Sequence, residues 1–516
     1  MNDLLPTATN NITGTAALIS TTVLGLLALK YNDRAIFTDR RKDIPNLPKS
    51  VPLFGVLFDQ IENKNRNLDW FDDNINKLDS MTMFGSALGL PPMIMTIDPR
   101  NVNHILKDNF SNYVKGGNLV KAGRELFGHG IFVANGEQWR YQRKAASIIF
   151  NAANFRDNFS RVFIQEVNTM SKYVLDKKAA SGETIDFQDI IYKFTLESFV
   201  DIGFGKNLKI LTSEEKVPFS TSFDYCQHVA FERIIDPFTD LRDSIKSIFR
   251  PNELTHKDHV KVINEFAYSL IDERSEQLKQ GHEYNDLLSR FMNALNEDGQ
   301  PLNKSELRDT VLNFIIAGRD TTAQTLSWGL YYLLMHPRVE EKLVAEVEEY
   351  VTEEIENDPA KFYETIKKMV YAHAVFYETL RLEPVVPSNA KMALEDDILP
   401  DGTHVRKNDL VLWNPYSMGR SMKIWGLDAQ DFRPERWITK EGDLKRESAS
   451  KWPAFHHGPR VCLGQNLATL EGLMALTLLL KRYKFTLAPN QEIKYSVALT
   501  HPLKDGINVY VEKRYH

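Results

Sequence analysis

The stretch Phe455-His456-His457-Gly458-Pro459-Arg460-Val461-Cys462-Leu463-Gly464 constrains this chain more than any other, because it sets one cysteine in a glycine-edged loop just ahead of an apolar run. The pattern F-x-x-G-x-R-x-C-x-G fixes five positions. At average usage of roughly one in twenty per position, a chance match in 516 residues has odds of about one in ten thousand. A thiolate that ligates a metal must stay ionised while partly buried. It therefore needs backbone N–H groups turned toward sulfur, and Gly458 and Gly464 allow that close approach. Asn466 to Leu480 reads as a helix, so the sulfur would also sit near a helix N-terminus that favours negative charge. Alone, Cys462 could equally be a buried, inert thiol; the residues around it favour the ligand.

A second feature is the apolar run from Lys304 to Met335, opened by Asn303 and Glu306 at capping-box spacing and closed by Pro337. Such a helix would extend on the order of 45 to 50 Å, enough to cross a domain. Its middle carries Ala317-Gly318-Arg319-Asp320-Thr321-Thr322. Glycine weakens a helix, and Thr321 can bond back to the carbonyl of Ala317, so the ladder is expected to open there. The plain alternative is a core helix with a packing glycine.

Further motifs lie at wide separation. Glu378-Thr379-Leu380-Arg381 puts acid and base on one helix face, and Phe432-Arg433-Pro434-Glu435-Arg436-Trp437 follows downstream. By itself the first is a common surface ion pair. Trp139-Arg140-Tyr141-Gln142-Arg143 follows Gly130-Ile131-Phe132, and Lys391 follows Pro384-Val385-Val386-Pro387.

Taken together, these residues resemble a cytochrome P-450, a haem-thiolate monooxygenase, from about Pro45 to the C-terminus. The resemblance implies a mainly α fold with small β-sheets and haem b (iron protoporphyrin IX) as cofactor. Cys462 would be the iron ligand, and Phe455, Arg460, Trp139 and Arg143 would contact the haem. Lys391 stands where many members carry a propionate-binding Arg or His, and a lysine could serve there as a point charge. Asp320 and Thr321 would deliver protons to iron-bound dioxygen. Glu378, Arg381 and Arg436 would form a buried structural network.

With 43% hydrophobic residues the chain can bury one large core. Net charge of −6 with mixed signs argues against nucleic acid. Two cysteines, Cys226 and Cys462, with one claimed by iron, leave no disulfide framework. Residues 12–29 form a mostly apolar run, diluted by Thr13, Thr15, Ser20, Thr21 and Thr22, near the lower limit for a bilayer span. Lys30, Arg34, Arg40, Arg41 and Lys42 follow it and would hold the body in the cytosol. The expected organisation is a luminal tail at 1–11, an N-terminal transmembrane anchor at 12–29, a basic, proline-rich linker at 30–52, and a haem domain at 53–516. Short strands are expected near Met81 to Thr96, Asp397 to Trp413 and Ile507 to Glu512.

No G-x-G-x-x-G follows a strand, so electrons must come from outside. For a membrane-anchored member the resemblance implies an NADPH-dependent cytochrome P-450 reductase at the endoplasmic reticulum membrane. Arg319 between Gly318 and Asp320, with Leu394 to Gly402 and Tyr416 to Arg420, resembles the plant and fungal group that hydroxylates fatty acids and alkanes near the chain end. Phe127, Phe231, Ala317, Val386 and Leu499 are the candidate lining for a lipophilic small-molecule substrate. A sterol or aromatic hydroxylase, or a non-catalytic haem protein, are the alternatives. Retention of Asp320 and Thr321 argues against a carrier, which has no need to break dioxygen.

Overall fold

Two apolar clusters organise the chain, and the computed structural model describes them over residues 6–150, 153–213, 215, 217–250, 253–296 and 299–514. The larger is helical and the smaller is built on a β-sheet.

The helices that position the site are α1 (Pro6–Lys30), α2 (Gly136–Ser147), α3 (Phe187–Phe204), α4 (Pro218–Ile235), α5 (Lys304–Ile315), α6 (Thr321–Met335), α7 (Val370–Leu382) and α8 (Gln465–Arg482). Helix α6 packs on α3, α7 and α8 and forms the axis of the larger core. It can do so because Thr322, Ala323, Leu326, Ser327, Trp328 and Leu330 are all buried, leaving it without a solvated face.

Ten short strands complete the described fold: β1 (Thr82–Gly85), β2 (Met93–Thr96), β3 (Tyr113–Val114), β4 (Ile185–Asp186), β5 (Asn389–Ala393), β6 (Asp397–Ile398), β7 (His404–Val405), β8 (Leu410–Trp413), β9 (Tyr483–Leu487) and β10 (Asn508–Lys513). The main sheet has the order β1-β2-β8-β5-β3, with β2 and β8 parallel and the other pairs antiparallel. A second sheet has the order β4-β10-β9, and β6 pairs with β7 across the Asp401-Gly402 turn, where Gly402 has φ +90°. Strands β3, β4, β5 and β9 went unforeseen. Two residues, as in β3 and β4, are too few to show a period of two.

The N-terminal segment departs most from expectation. Helix α1 begins at Pro6, ahead of the expected boundary at residue 12, and exposes Leu18, Ile19, Val23, Leu24, Leu26 and Leu29. Among the described residues no helix is long and apolar enough to cross a membrane. The physical reason is the run of threonine and asparagine that dilutes α1. Residues 1–5 of the expected luminal tail lie outside the described residues.

Residues 30–52, expected as a linker, are woven onto the main sheet instead. Ala35, Ile44 and Leu47 are buried. Leu47 N–H donates to the Phe84 carbonyl at 2.8 Å, and Phe84 N–H donates to Pro45 at 2.8 Å. Arg41, one of the basic residues assigned to the linker, is 4% exposed and pairs with Asp43 and Asp409.

Candidate active site

Cys462 stands two residues before Gly464, the N-cap of α8. Its backbone N–H donates to the Phe455 carbonyl at 2.9 Å, which closes the loop into a hairpin-like turn. The turn requires left-handed backbone at His456 (φ +65°) and Gly458 (φ +66°), and a Cβ on Gly458 would meet the Leu106 carbonyl oxygen at 2.0 Å. Cys462 is exposed, while Val461 and Leu463 beside it are half-buried. The surrounding protein pushes its thiol up; the Gly464 amide and the Arg143 guanidinium pull it the other way.

Around this loop lies a set of cations with no matching carboxylate among the described residues. Arg143 donates to the Val461 carbonyl at 2.8 Å, and Arg460 to the Ala134 carbonyl at 2.6 Å. The Arg143 and Arg460 guanidinium carbons stand 5.8 and 4.6 Å from the centre of the Trp139 ring. Lys391 on β5 is 1% exposed and reaches the Tyr113 carbonyl at a long 3.4 Å. Burial, then Lys115 and Arg460, push the Lys391 ammonium down to about 6. Burial and Arg460 push Lys115 down to about 8, and burial and Arg143 push Arg460 down to about 10. Burial, with Lys115 next, carries His456 down to about 3. The Arg460 Nε and the His456 Nε2 are buried without a partner.

Such a group of like charges is what a dianionic ligand would neutralise, and the two propionates of haem supply two negative charges beside a thiolate. The residues therefore fit the cofactor: Cys462 as ligand, with Arg143, Arg460, Lys391 and Lys115 as the cations. Lys115 was missed in the sequence. Nothing marks it except its place after β3, whose partner is β5, and only the folded sheet brings it to Lys391.

Between α5 and α6 the ladder opens into a π turn at Ile316–Asp320. The Thr321 hydroxyl donates to the Ala317 carbonyl at 2.8 Å, and the capping box of Asn303 and Glu306 opens α5. Gly318 has a packing role: a Cβ there would meet the Phe199 ring of α3 at 2.0 Å. Asp320 is 1% exposed. Arg319 Nη1 donates to its Oδ1 at 2.7 Å and Gln227 on α4 to its Oδ2 at 2.7 Å. Arg319 is itself shared with Asp224, whose side chain is 52% exposed. Burial raises the Asp320 carboxyl to about 6, Arg319 opposing and Asp224 assisting. In this arrangement the Asp320 and Thr321 side chains turn to different partners, although adjacent in the chain.

Glu378 on α7 is fully buried. Its carboxylate accepts from Arg381 Nε at 2.8 Å, Arg436 Nε at 2.9 Å, Trp437 Nε1 at 2.9 Å and the Arg433 amide at 2.8 Å. Arg381 also donates to the Gly419, Ala429 and Asp431 carbonyls. The Arg381 carbonyl oxygen would lie 1.9 Å from a Cβ on Gly419, so Tyr416-Ser-Met-Gly-Arg420 needs its glycine.

The candidate lining residues scatter more widely. Phe127 is buried and its carbonyl accepts from Asn313 on α5 at 2.9 Å, one turn before the opened ladder. Ala317 lies in the π turn, and Val386 and Leu499 are half-buried against the larger core. Phe231 is half-buried on α4. Arg140, by contrast, is a surface residue paired with Glu137.

Fold and site together define a haem-thiolate protein with an acid and an alcohol beside an opened helix. A sequence model of the cytochrome P-450 family matches residues 45–506, and the chain belongs to that family. It is 36% identical over 509 residues to cytochrome P-450 704B1 of Arabidopsis thaliana, covering 90% of this chain and 95% of that one. It is 33% identical over 512 residues to the cytochrome P-450 monooxygenase cyp1 of Mycosarcoma maydis, covering 94% and 77%. Against cytochrome P-450 94A1 of Vicia sativa the identity is 32% over 497 residues, covering 94% of each. The protein is a monooxygenase and its cofactor is haem.

Proposed function

We propose that the protein hydroxylates long-chain fatty acids or alkanes at or near the chain end. The observation that carries this reading is the π turn, which puts the acid Asp320 and the alcohol Thr321 beside Ala317, one turn after the Asn313 side chain that bonds Phe127; the candidate lining, with Phe231, Val386 and Leu499, is uncharged. When bound, haem supplies dioxygen activation at a thiolate-ligated iron. The chain does the rest. Cys462 holds the metal, Trp139, Phe455, Arg143, Arg460, Lys391 and Lys115 seat the macrocycle and its propionates, and the apolar wall orients the substrate and excludes water.

To deliver protons, the Asp320 carboxyl must turn from Arg319 and Gln227 toward the Thr321 hydroxyl, and the half-exposed Asp224, which shares Arg319, can keep that cation paired when it does. A carboxyl held near 6 can both carry and release a proton near neutrality. Electrons come from an NADPH-dependent cytochrome P-450 reductase docking on the basic face around Arg460. Helix α1, with its exposed apolar side chains, attaches the protein to the endoplasmic reticulum membrane, with the catalytic domain on the cytosolic side.

Purified protein with a flavoprotein reductase, NADPH and a long-chain fatty acid should give a hydroxy acid by mass spectrometry, and Cys462→Ala should give none. Haem that is loaded and reducible but yields no product from fatty acids or alkanes would move the assignment to sterols or aromatics.

A further inference from the structure

A second buried polar centre lies away from the haem-binding cations, at the end of α7. Glu383, 4% exposed, ends that helix and precedes Pro384-Val385-Val386-Pro387. Its carboxylate accepts from Tyr332 Oη at 2.7 Å, Arg420 Nη2 at 2.6 Å and His501 Nε2 at 2.7 Å. His501 is fully buried and two residues from Leu499. Its backbone N–H donates to Gln324 Oε1 at 2.7 Å, and its carbonyl accepts from Trp328 Nε1 at 2.8 Å. The Gln324 amide also donates to Thr500 Oγ1 at 2.8 Å. Gln324, Trp328 and Tyr332 are spaced by four, so one face of α6 holds both loops, and Gln324 follows Thr321 by a single turn.

We infer that Glu383 is a positioning residue that fixes which substrate carbon is attacked. Through His501 and the α6 face it locks the 383–387 loop to the 499–501 segment, and so sets Val386 and Leu499 relative to Thr321. This rests on the lipid monooxygenase reading. Stability alone does not call for such a centre, because well-packed apolar residues often replace a buried charge cluster at no loss. Directional bonds do what apolar contact cannot: they hold two loops in one register against a helix.

The test uses the haem-loaded full chain, a flavoprotein reductase, NADPH and hexadecanoic acid. The readout is the ratio of terminal to subterminal hydroxy acids, beside the haem-thiolate absorption spectrum. Glu383→Gln should shift that ratio by about tenfold, inside the roughly hundredfold cost of a misplacement of about 1 Å. Tyr332→Phe removes one neutral donor and leaves no charge unpaired; it should shift the ratio the same way by less, and it decides the matter if Glu383→Gln does not fold. Loss of total turnover or haem at an unchanged ratio overturns the assignment, since a purely structural role predicts that. No hydroxy acid from the loaded wild type sinks the fatty-acid reading and this inference with it; a wild-type product with unchanged ratios in both variants sinks this inference alone.

Discussion

The networks at Glu378 and at Lys391 are both buried and ionic, yet they are balanced in opposite ways. At Glu378 one carboxylate accepts from two guanidinium groups, an indole and an amide, and the remaining Arg381 donors find carbonyls. At Lys391 the neighbours are cations, and burial first, then their mutual repulsion, lowers their proton affinity. A matched network holds the fold together by itself. An unmatched one is a binding site, because its electrostatic cost is removed only when an anion arrives.

The largest effect should come from breaking the matched network. Glu378→Ala strands Arg381 and Arg436 in the core, and the variant should lose about 3 to 5 kcal/mol or fail to fold. A denaturant midpoint close to wild type would mean the network is not load-carrying in solution. Lys391→Met should act in the reverse sense: the haem-free protein becomes more stable, while haem affinity falls. Equal and parallel losses in both would dissolve the contrast between the two networks.

The pH dependence sharpens the same contrast. Lys391 and Lys115 sit at about 6 and about 8 when folded, below the ordinary 10.5 of an unfolded lysine. Between those values the unfolded chain binds more protons, so stability of the haem-free protein should rise with pH across that window. Bound haem should flatten the rise, and thermal melts with and without haem measure it. A smaller signal belongs to Glu383, which burial works to raise but Arg420 and the His501 bond hold at about 2, below the ordinary 4.5. Its contribution should be complete above 4.5 and fade as pH falls toward 2; acid titrations of wild type and Glu383→Gln should therefore converge at low pH.

Motifs whose parts are adjacent in the chain are legible in the sequence alone. The Cys462 loop, the capped helix from Lys304 with its opening at Ala317, and the Glu378–Arg381 spacing all encode local geometry. The N-terminus was misjudged because the basic stretch reads as a solvated linker until Arg41 is seen against Asp409, far away in sequence. Gly318 could be read from the chain either as a weak point in the ladder or as a packing glycine, and its steric role depends on Phe199 from another helix.

The sequence by itself determined the local geometry: the glycine-edged loop at Cys462, where the long helix opens, and which acid and alcohol stand beside that opening. These depend on neighbours within a few residues, and short-range geometry is written into the chain. Only the tertiary structure decided which charges are matched. Lys115 joins Lys391 because β3 pairs with β5, and Glu383 joins His501 because one face of α6 docks two loops. Coulombic balance is summed over space, and spacing along the chain does not carry that sum.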